Sequence, residues 1–196
     1  MSTLTNTLPE GLFRAAVAAH DSPPRAYHSW AHVQDVLEHM DIVPHWSAPR
    51  EVTLAIVFHD AIYEPGRSDN EARSAEFAER ALATFGPHDV DASRVRELIE
   101  LTARHGRLRP EDVDDDARHF LDCDMAILGR SPTRFDAYDA AIAVENAHVP
   151  GPIYRFNRRR FLSRLLEAPR IFLSDFFHAR LDAAARANLR RALDAD

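Results

Sequence analysis

Residues 54–74 read Leu54-Ala55-Ile56-Val57-Phe58-His59-Asp60-Ala61-Ile62-Tyr63-Glu64-Pro65-Gly66-Arg67-Ser68-Asp69-Asn70-Glu71-Ala72-Arg73-Ser74. An apolar run, Leu54 to Phe58, delivers His59 and Asp60 at its end, where a greasy element surfaces with two metal-capable side chains. Neighbours on a helix point roughly 100° apart, so this pair can close on one ion only if the ion sits between them, as it can near a helix terminus. The dipeptide is therefore half of a site, and the other ligands must come from elsewhere. A polar turn, Glu64-Pro65-Gly66-Arg67, follows. Ser68-Asp69-Asn70-Glu71 then has the Ser-x-x-Glu spacing of a capping box, which opens the next helix.

Outward from this stretch every patterned segment is helical. Leu12 to His20 is a short helix stopped by Ser22-Pro23-Pro24. Arg25-Ala26-Tyr27-His28-Ser29-Trp30-Ala31-His32 leads into Val33, Val36, Leu37 and Met40, whose spacing gives a helix with one buried face. His28 and His32, four apart, share a face near its start. They could bind one metal together, or one could ligate while the other faces substrate; a capping or core role is the plainer alternative. Pro49 starts the helix Glu51 to Phe58, and Asp69 to Phe85 follows with Ala72, Ala75, Ala78, Ala81 and Leu82 suited to close packing. Ala92 to Ala103 places Val95, Leu98, Ile99 and Thr102 on one face and stops at Arg104-His105-Gly106. Glu111 to Asp116 is an acidic loop.

The second informative stretch is Phe120-Leu121-Asp122-Cys123-Asp124-Met125-Ala126-Ile127-Leu128-Gly129. Two carboxylates in an apolar helix are expensive to bury unpaired and should meet a cation. Asp122 and Asp124 lie about 200° apart around a helix, so at most one faces a given site, and the other supports, caps or is exposed. Ser131-Pro132 opens the helix Thr133 to His148, Pro150-Gly151-Pro152 breaks it, and Ile153 to Leu166 is a basic helix with Arg155, Arg158, Arg159, Arg160 and Arg164. Ser174 to Leu193 is the last, with Phe177, Leu181, Ala185 and Leu189 on its apolar side. No alternating strand, Gly-rich phosphate loop or internal repeat is found, so the chain is expected to be all-α, with about eight helices and short loops.

The 196 residues, 45% of them hydrophobic, suffice for one substantial core, and a single domain over residues 1–196 is expected. No stretch reaches the roughly 18 to 20 apolar residues of a membrane span. Met1 to Glu10 lacks the basic start and apolar core of a signal peptide, so a cytoplasmic location is expected, with no membrane partner. The single cysteine, Cys123, cannot form an internal disulfide. A net charge of -7 argues against general nucleic-acid binding. There is no lysine, so Schiff-base chemistry is excluded and any cation gripping an anion must be arginine.

Five motifs in order then carry a resemblance: Tyr27-His28-Ser29-Trp30-Ala31-His32, Phe58-His59-Asp60-Ala61-Ile62-Tyr63-Glu64-Pro65, Asp69-Asn70-Glu71-Ala72-Arg73-Ser74-Ala75, Thr102-Ala103-Arg104-His105, and Phe120 to Gly129. The chain resembles the HD superfamily of metal-dependent phosphohydrolases, and more closely a group of small bacterial predicted HD hydrolases, over about Arg25 to Phe172. The resemblance implies an HD-type helical domain with His32, His59, Asp60 and Asp124 as metal ligands. Asp124 is preferred to Asp122 because an apolar helical segment, Met125 to Leu128, follows it as in the family. Nitrogen and oxygen ligands without thiolate suit one divalent ion, Mn²⁺, Fe²⁺, Co²⁺, Ni²⁺ or Zn²⁺, with Mg²⁺ also admitted.

The implied activity is hydrolysis of a phosphate ester, the substrate being a small phosphorylated molecule such as a nucleotide. Asp60 or Glu71 could take or relay the proton, with Glu71 otherwise a capping residue. His28 could grip phosphate or shuttle a proton, and so could His105, which could also help hold a second metal. Arg25, Arg73, Arg104 and Arg158 are the candidate cationic clamps. The pattern departs from the family around Glu145, where a flanking Arg and Tyr are replaced by Ala143 and Asn146. The alternative is a metal-bearing sensor or scaffold that binds a nucleotide or protein without turnover. A purely helical interaction module accounts for neither the carboxylates nor the histidines.

Overall fold

Apolar residues recurring at three and four, punctuated by proline and glycine, predict an all-helical chain. The computed structural model describes residues 8–21 and 25–195, and among these there are nine α-helices and no strand. The stop at Ser22-Pro23-Pro24 and most of the Met1 to Glu10 stretch lie outside the described residues. No helix among the described residues is long and apolar enough to cross a membrane. The chain divides into two compact units, Met1–His105 and Gly106–Asp196.

The first unit holds α1 (Glu10–His20), α2 (Trp30–Ile42), α3 (Pro49–Phe58), α4 (Asn70–Phe85) and α5 (Ala92–Thr102). Its centre is α3, where Val52, Thr53, Leu54, Ala55, Ile56, Val57 and Phe58 are all buried. A helix without a polar face has to be enclosed, and α2, α4 and α5 pack against this one. Burying each large aliphatic or aromatic side chain contributes about 1.5–3 kcal/mol, so α3 is the anchor of the unit. Thr53 satisfies its hydroxyl inside the helix by donating to the Pro49 carbonyl at 2.7 Å. The alanine face of α4 is buried at Ala75, Ala78 and Ala81, which lets α5 lie close, with Val95, Leu98 and Ile99 also buried.

Two expected helix starts move. The N-cap of α4 is Asp69, not Ser68, and it makes no side-chain cap bond. With Asp69 as N-cap, Glu71 stands at the second helical position rather than the third, so the Ser68 to Glu71 capping box does not form, and the Asp69 carboxylate is taken by Arg67, whose Nε and Nη2 reach its two oxygens at 2.7 and 2.6 Å. Likewise α2 begins at Trp30 with extended Ser29 as N-cap, so His28 precedes the helix and does not share a helical face with His32.

The second unit holds α6 (Asp115–Met125), α7 (Pro132–Glu145), α8 (Gly151–Glu167) and α9 (Asp175–Ala195), with one-turn 3₁₀ helices at Pro110–Asp112 and Ala126–Gly129. The acidic run is only partly a loop: the Asp114 side chain accepts from the Ala117 amide at 2.9 Å and caps α6, while Asp115 and Asp116 occupy its first turn, where the helix dipole favours negative charge. Pro152 sits in the first turn of α8, so the Pro-Gly-Pro break is itself a helix start. Helix α9 packs on Ala126–Gly129, α8 and α6. A Cβ at Gly129 would stand 2.6 Å from the Leu181 Cβ, so this approach requires glycine.

Candidate metal centre

His59 follows α3 with helical dihedrals, φ -57° and ψ -36°. Its ring therefore stays along the helix, and Nδ1 lies 2.8 Å from the Ile56 carbonyl. A carbonyl only accepts, so Nδ1 carries a proton, and Nε2 either donates to Asp60 in the imidazolium or presents a lone pair in the neutral ring. Helix α2 brings in His32 in its first turn, and its Nε2 stands 3.2 Å from that of His59. The Asp60 Oδ2 lies 3.0 Å from His59 Nε2 and 3.6 Å from His32 Nε2. His32 and His59 are 5% and 1% exposed, so water does not disperse this crowding of acceptors.

With their Nε2 atoms deprotonated, the two imidazoles and the Asp60 carboxylate converge as three lone-pair donors that one cation could hold together. Ligands about 2.1 Å from one ion, about 90° to 109° apart, stand roughly 3.0 to 3.4 Å from one another. The separations of 3.0 and 3.2 Å fall in that range, and the 3.6 Å between His32 Nε2 and Asp60 Oδ2 is slightly longer than one face of such a polyhedron. His32 and His59 belong to a group of side chains able to hold a metal ion. Burial by itself would raise the pKa of the Asp60 carboxyl, but the imidazoles of His59, His28 and His32 outweigh it and hold the group below the usual carboxylate range. Asp60 is thus ionised across ordinary pH.

No protein-family model, curated protein or solved structure matches this chain. The site's chemistry rests on its own geometry.

The turn that carries Asp60 is held from two sides. Arg25 Nη1 donates to the carbonyls of Asp60 at 2.7 Å and His28 at 3.1 Å, and its Nη2 donates to that of Ala61 at 2.9 Å. From α4, Ser74 Oγ accepts from the Ile62 amide at 3.0 Å and lies 3.1 Å from the Ile62 carbonyl. Asn70 treats Glu64 as a peptide partner: its Oδ1 accepts from the Glu64 amide at 3.1 Å, and its Nδ2 donates to the Glu64 carbonyl at 3.0 Å. Sequence reasoning passed over Asn70 and Ser74. The signal was present, since two small polar residues four apart interrupt a helix face of buried alanines and need partners.

Aromatic rings border the cluster. His28 stacks on Tyr63 with centroids 4.0 Å apart, Tyr27 lies over His32 at 4.7 Å, and His28 meets His32 edge to face at 6.0 Å. His20 is buried in α1, its Nδ1 donating to the Ala16 carbonyl at 2.9 Å and its ring edge-on to Trp30. Burial is the main reason its pKa falls from 6.5 to about 4.

Glu71 lies half-buried in the first turn of α4, and Arg73 Nη2 pairs with Glu64 at 2.7 Å. His105 follows α5, half-buried, and Arg104 is exposed. In the second unit Arg158 is buried, with Nε 2.8 Å and Nη2 2.6 Å from Asp139 Oδ1 and Nη1 3.3 Å from the Tyr138 hydroxyl. Asn146 caps α7, its Nδ2 donating to the Ile142 carbonyl, beside buried Glu145.

The two carboxylates of α6 divide their work. Asp122 is 1% exposed and accepts from the Leu173 amide at 2.7 Å, the Ser174 amide at 2.7 Å and the Ser174 hydroxyl at 2.6 Å. Asp122 accepts from neutral donors at the start of α9, a supporting role of the kind expected for whichever acid of the pair does not face a site. Asp124, the next-to-last residue of α6, is half-buried.

Proposed function

We propose that the chain is a metal-dependent hydrolase of phosphate esters of the HD type, acting on a small phosphorylated molecule such as a nucleotide. The observation that carries this reading is the convergence of His32 Nε2, His59 Nε2 and Asp60 Oδ2 within 3.6 Å of one another. The five motifs that resemble the HD superfamily support it. Asp124 is proposed as the fourth ligand, because Asp122 is already held by three donors. Two imidazoles and two carboxylates would bring one divalent ion near neutrality and, at six-coordination, leave two positions open.

When bound, the ion lowers the pKa of water and polarises a phosphoryl oxygen. The chain's own residues do the rest. His59 donates a hydrogen bond from Nδ1 to the Ile56 carbonyl, which orients the ring and fixes the tautomer that would present Nε2 to the ion. Glu71 and His105 are the candidates to receive or relay a proton, while Asp60, held ionised beside the imidazoles, serves as a ligand. His28, stacked on Tyr63, is set to grip a phosphoryl oxygen, and Arg73 supplies positive charge. Arg158, buried against Asp139, keeps a pKa above the ordinary value although burial works the other way, so it stays charged.

The test is a panel of nucleotides and phosphomonoesters assayed with Mn²⁺, Co²⁺ or Ni²⁺. Turnover that disappears in His59→Ala and Asp124→Ala, with folding retained, supports the hydrolase. Full metal occupancy with no turnover across the panel overturns it in favour of a binding protein.

A further inference from the structure

Resting on the metal-centre reading, we infer that Arg25, Asn70 and Ser74 are positioning residues, a backbone clamp that sets the metal affinity of the site without touching the ion. Asp60 stands in a five-residue segment, 60–64, that lies between α3 and α4 and has no ladder of its own. Its polar backbone groups are nevertheless engaged almost throughout. Arg25 takes the carbonyls of Asp60 and Ala61, Ser74 takes both polar groups of Ile62, and Asn70 takes both of Glu64. Seven side-chain contacts including His28 fix a turn that carries one ligand.

Arg25 does more than hold the turn. Its Nη1 donates to Asp60 and to His28 at once, so a single nitrogen ties the segment that enters α2, and hence His32, to the segment that leaves α3. The planar, always-charged guanidinium suits this role, because its donors keep a fixed mutual geometry. The 3.6 Å separation of His32 Nε2 and Asp60 Oδ2 depends on that tie. A ligand triangle held before the ion arrives loses less freedom on binding, and support of this kind outside the ligand set typically governs metal affinity by ten- to a hundred-fold. The arginine expected to grip substrate is therefore assigned to the frame of the site.

The experiment measures Co²⁺ affinity of the metal-free full chain by calorimetry, with the visible Co²⁺ spectrum as a second readout of coordination geometry. Arg25→Met keeps the aliphatic stem and removes every donor; Ser74→Ala removes both contacts to Ile62. Each is expected to weaken Co²⁺ binding by about ten- to a hundred-fold and to alter the spectrum, while the metal-free protein still unfolds cooperatively. Asn70→Ala, which removes both contacts to Glu64, should weaken Co²⁺ binding in the same range. If Arg25→Met and Ser74→Ala lower only the melting temperature of the metal-free chain and bind Co²⁺ as wild type does, the clamp is merely structural and the inference is overturned. A wild-type chain that binds no Co²⁺ overturns the metal centre and the clamp together. Altered affinity without phosphate-ester turnover in any variant or wild type sustains the clamp and removes only the hydrolase.

Discussion

Replacing Asp122 with alanine should unfold the protein sooner and leave its metal alone. The carboxylate receives the amides of Leu173 and Ser174, both at 2.7 Å, and the Ser174 hydroxyl at 2.6 Å. That hydroxyl in turn accepts from the Phe177 amide at 3.2 Å, so the acid anchors the first turn of α9 through a relay. Leu173 and Ser174 are 9% and 5% exposed, and water has little access to replace the lost acceptor. Each buried amide left without a partner costs about 1–3 kcal/mol, or about 2–6 kcal/mol for the two. At about 2–4 °C per kcal/mol for a chain of this size, a mid-range loss of about 4 kcal/mol lowers Tm by about 8–16 °C. Thermal unfolding of the metal-free protein, followed by circular dichroism, reads this directly. Asp124→Ala should do the reverse, abolishing tight metal binding while lowering metal-free stability less than Asp122→Ala does. The reasoning is refuted if Asp122→Ala melts within about 1 °C of wild type, or loses metal while its stability is intact.

Other consequences are as direct. His20 has a pKa of 6.5 before folding and about 4 after, so the unfolded chain binds more protons between those values, and stability must fall as pH drops from 6.5 toward 4. The full difference is worth about 3 kcal/mol; His20→Leu should flatten that acid limb in urea titrations at pH 7 and 4.5, and equal losses in both proteins would contradict it. Gly106 has φ +68°, and a Cβ there would stand 2.8 Å from Leu165 Cδ2, so Gly106→Ala should lose about 1–2 kcal/mol by denaturant titration; an unchanged midpoint contradicts it. A divalent ion present at a hundred times its Kd should stabilise the chain by about 2.7 kcal/mol, a gain that a chelator removes and that His59→Ala never shows. A chelator with no effect on wild-type Tm would deny the site.

Helices were legible where one rule acted without rivals. The buried Val95, Leu98, Ile99 and Thr102 of α5 follow from period alone, and Pro49 and Pro132 mark starts that the backbone observes. The Ser68 capping box does not form because the helix starts one residue later than its spacing asks, with Asp69 as N-cap. His28 was misplaced by a helix that begins two residues after it. The task of Asp122 depends on amides 51 and 52 residues away, and that of Arg25 on carbonyls 35 and 36 residues away; no local pattern announces either. His59 and Asp60 read as only half of a site, since a His-Asp pair is common by chance; their convergence with His32 comes from the packing of α2 on α3. The proton placement on His59 was not legible, since it depends on how far the helix geometry persists.

The account turns on one ion held by these side chains, and anomalous diffraction from crystals grown with Mn²⁺ or Zn²⁺ measures that most directly. The expected result is a single strong peak bonded to Nε2 of His32, Nε2 of His59 and the carboxylates of Asp60 and Asp124. A map with no peak between the two imidazoles, or an ion there with Asp124 turned away, would contradict it.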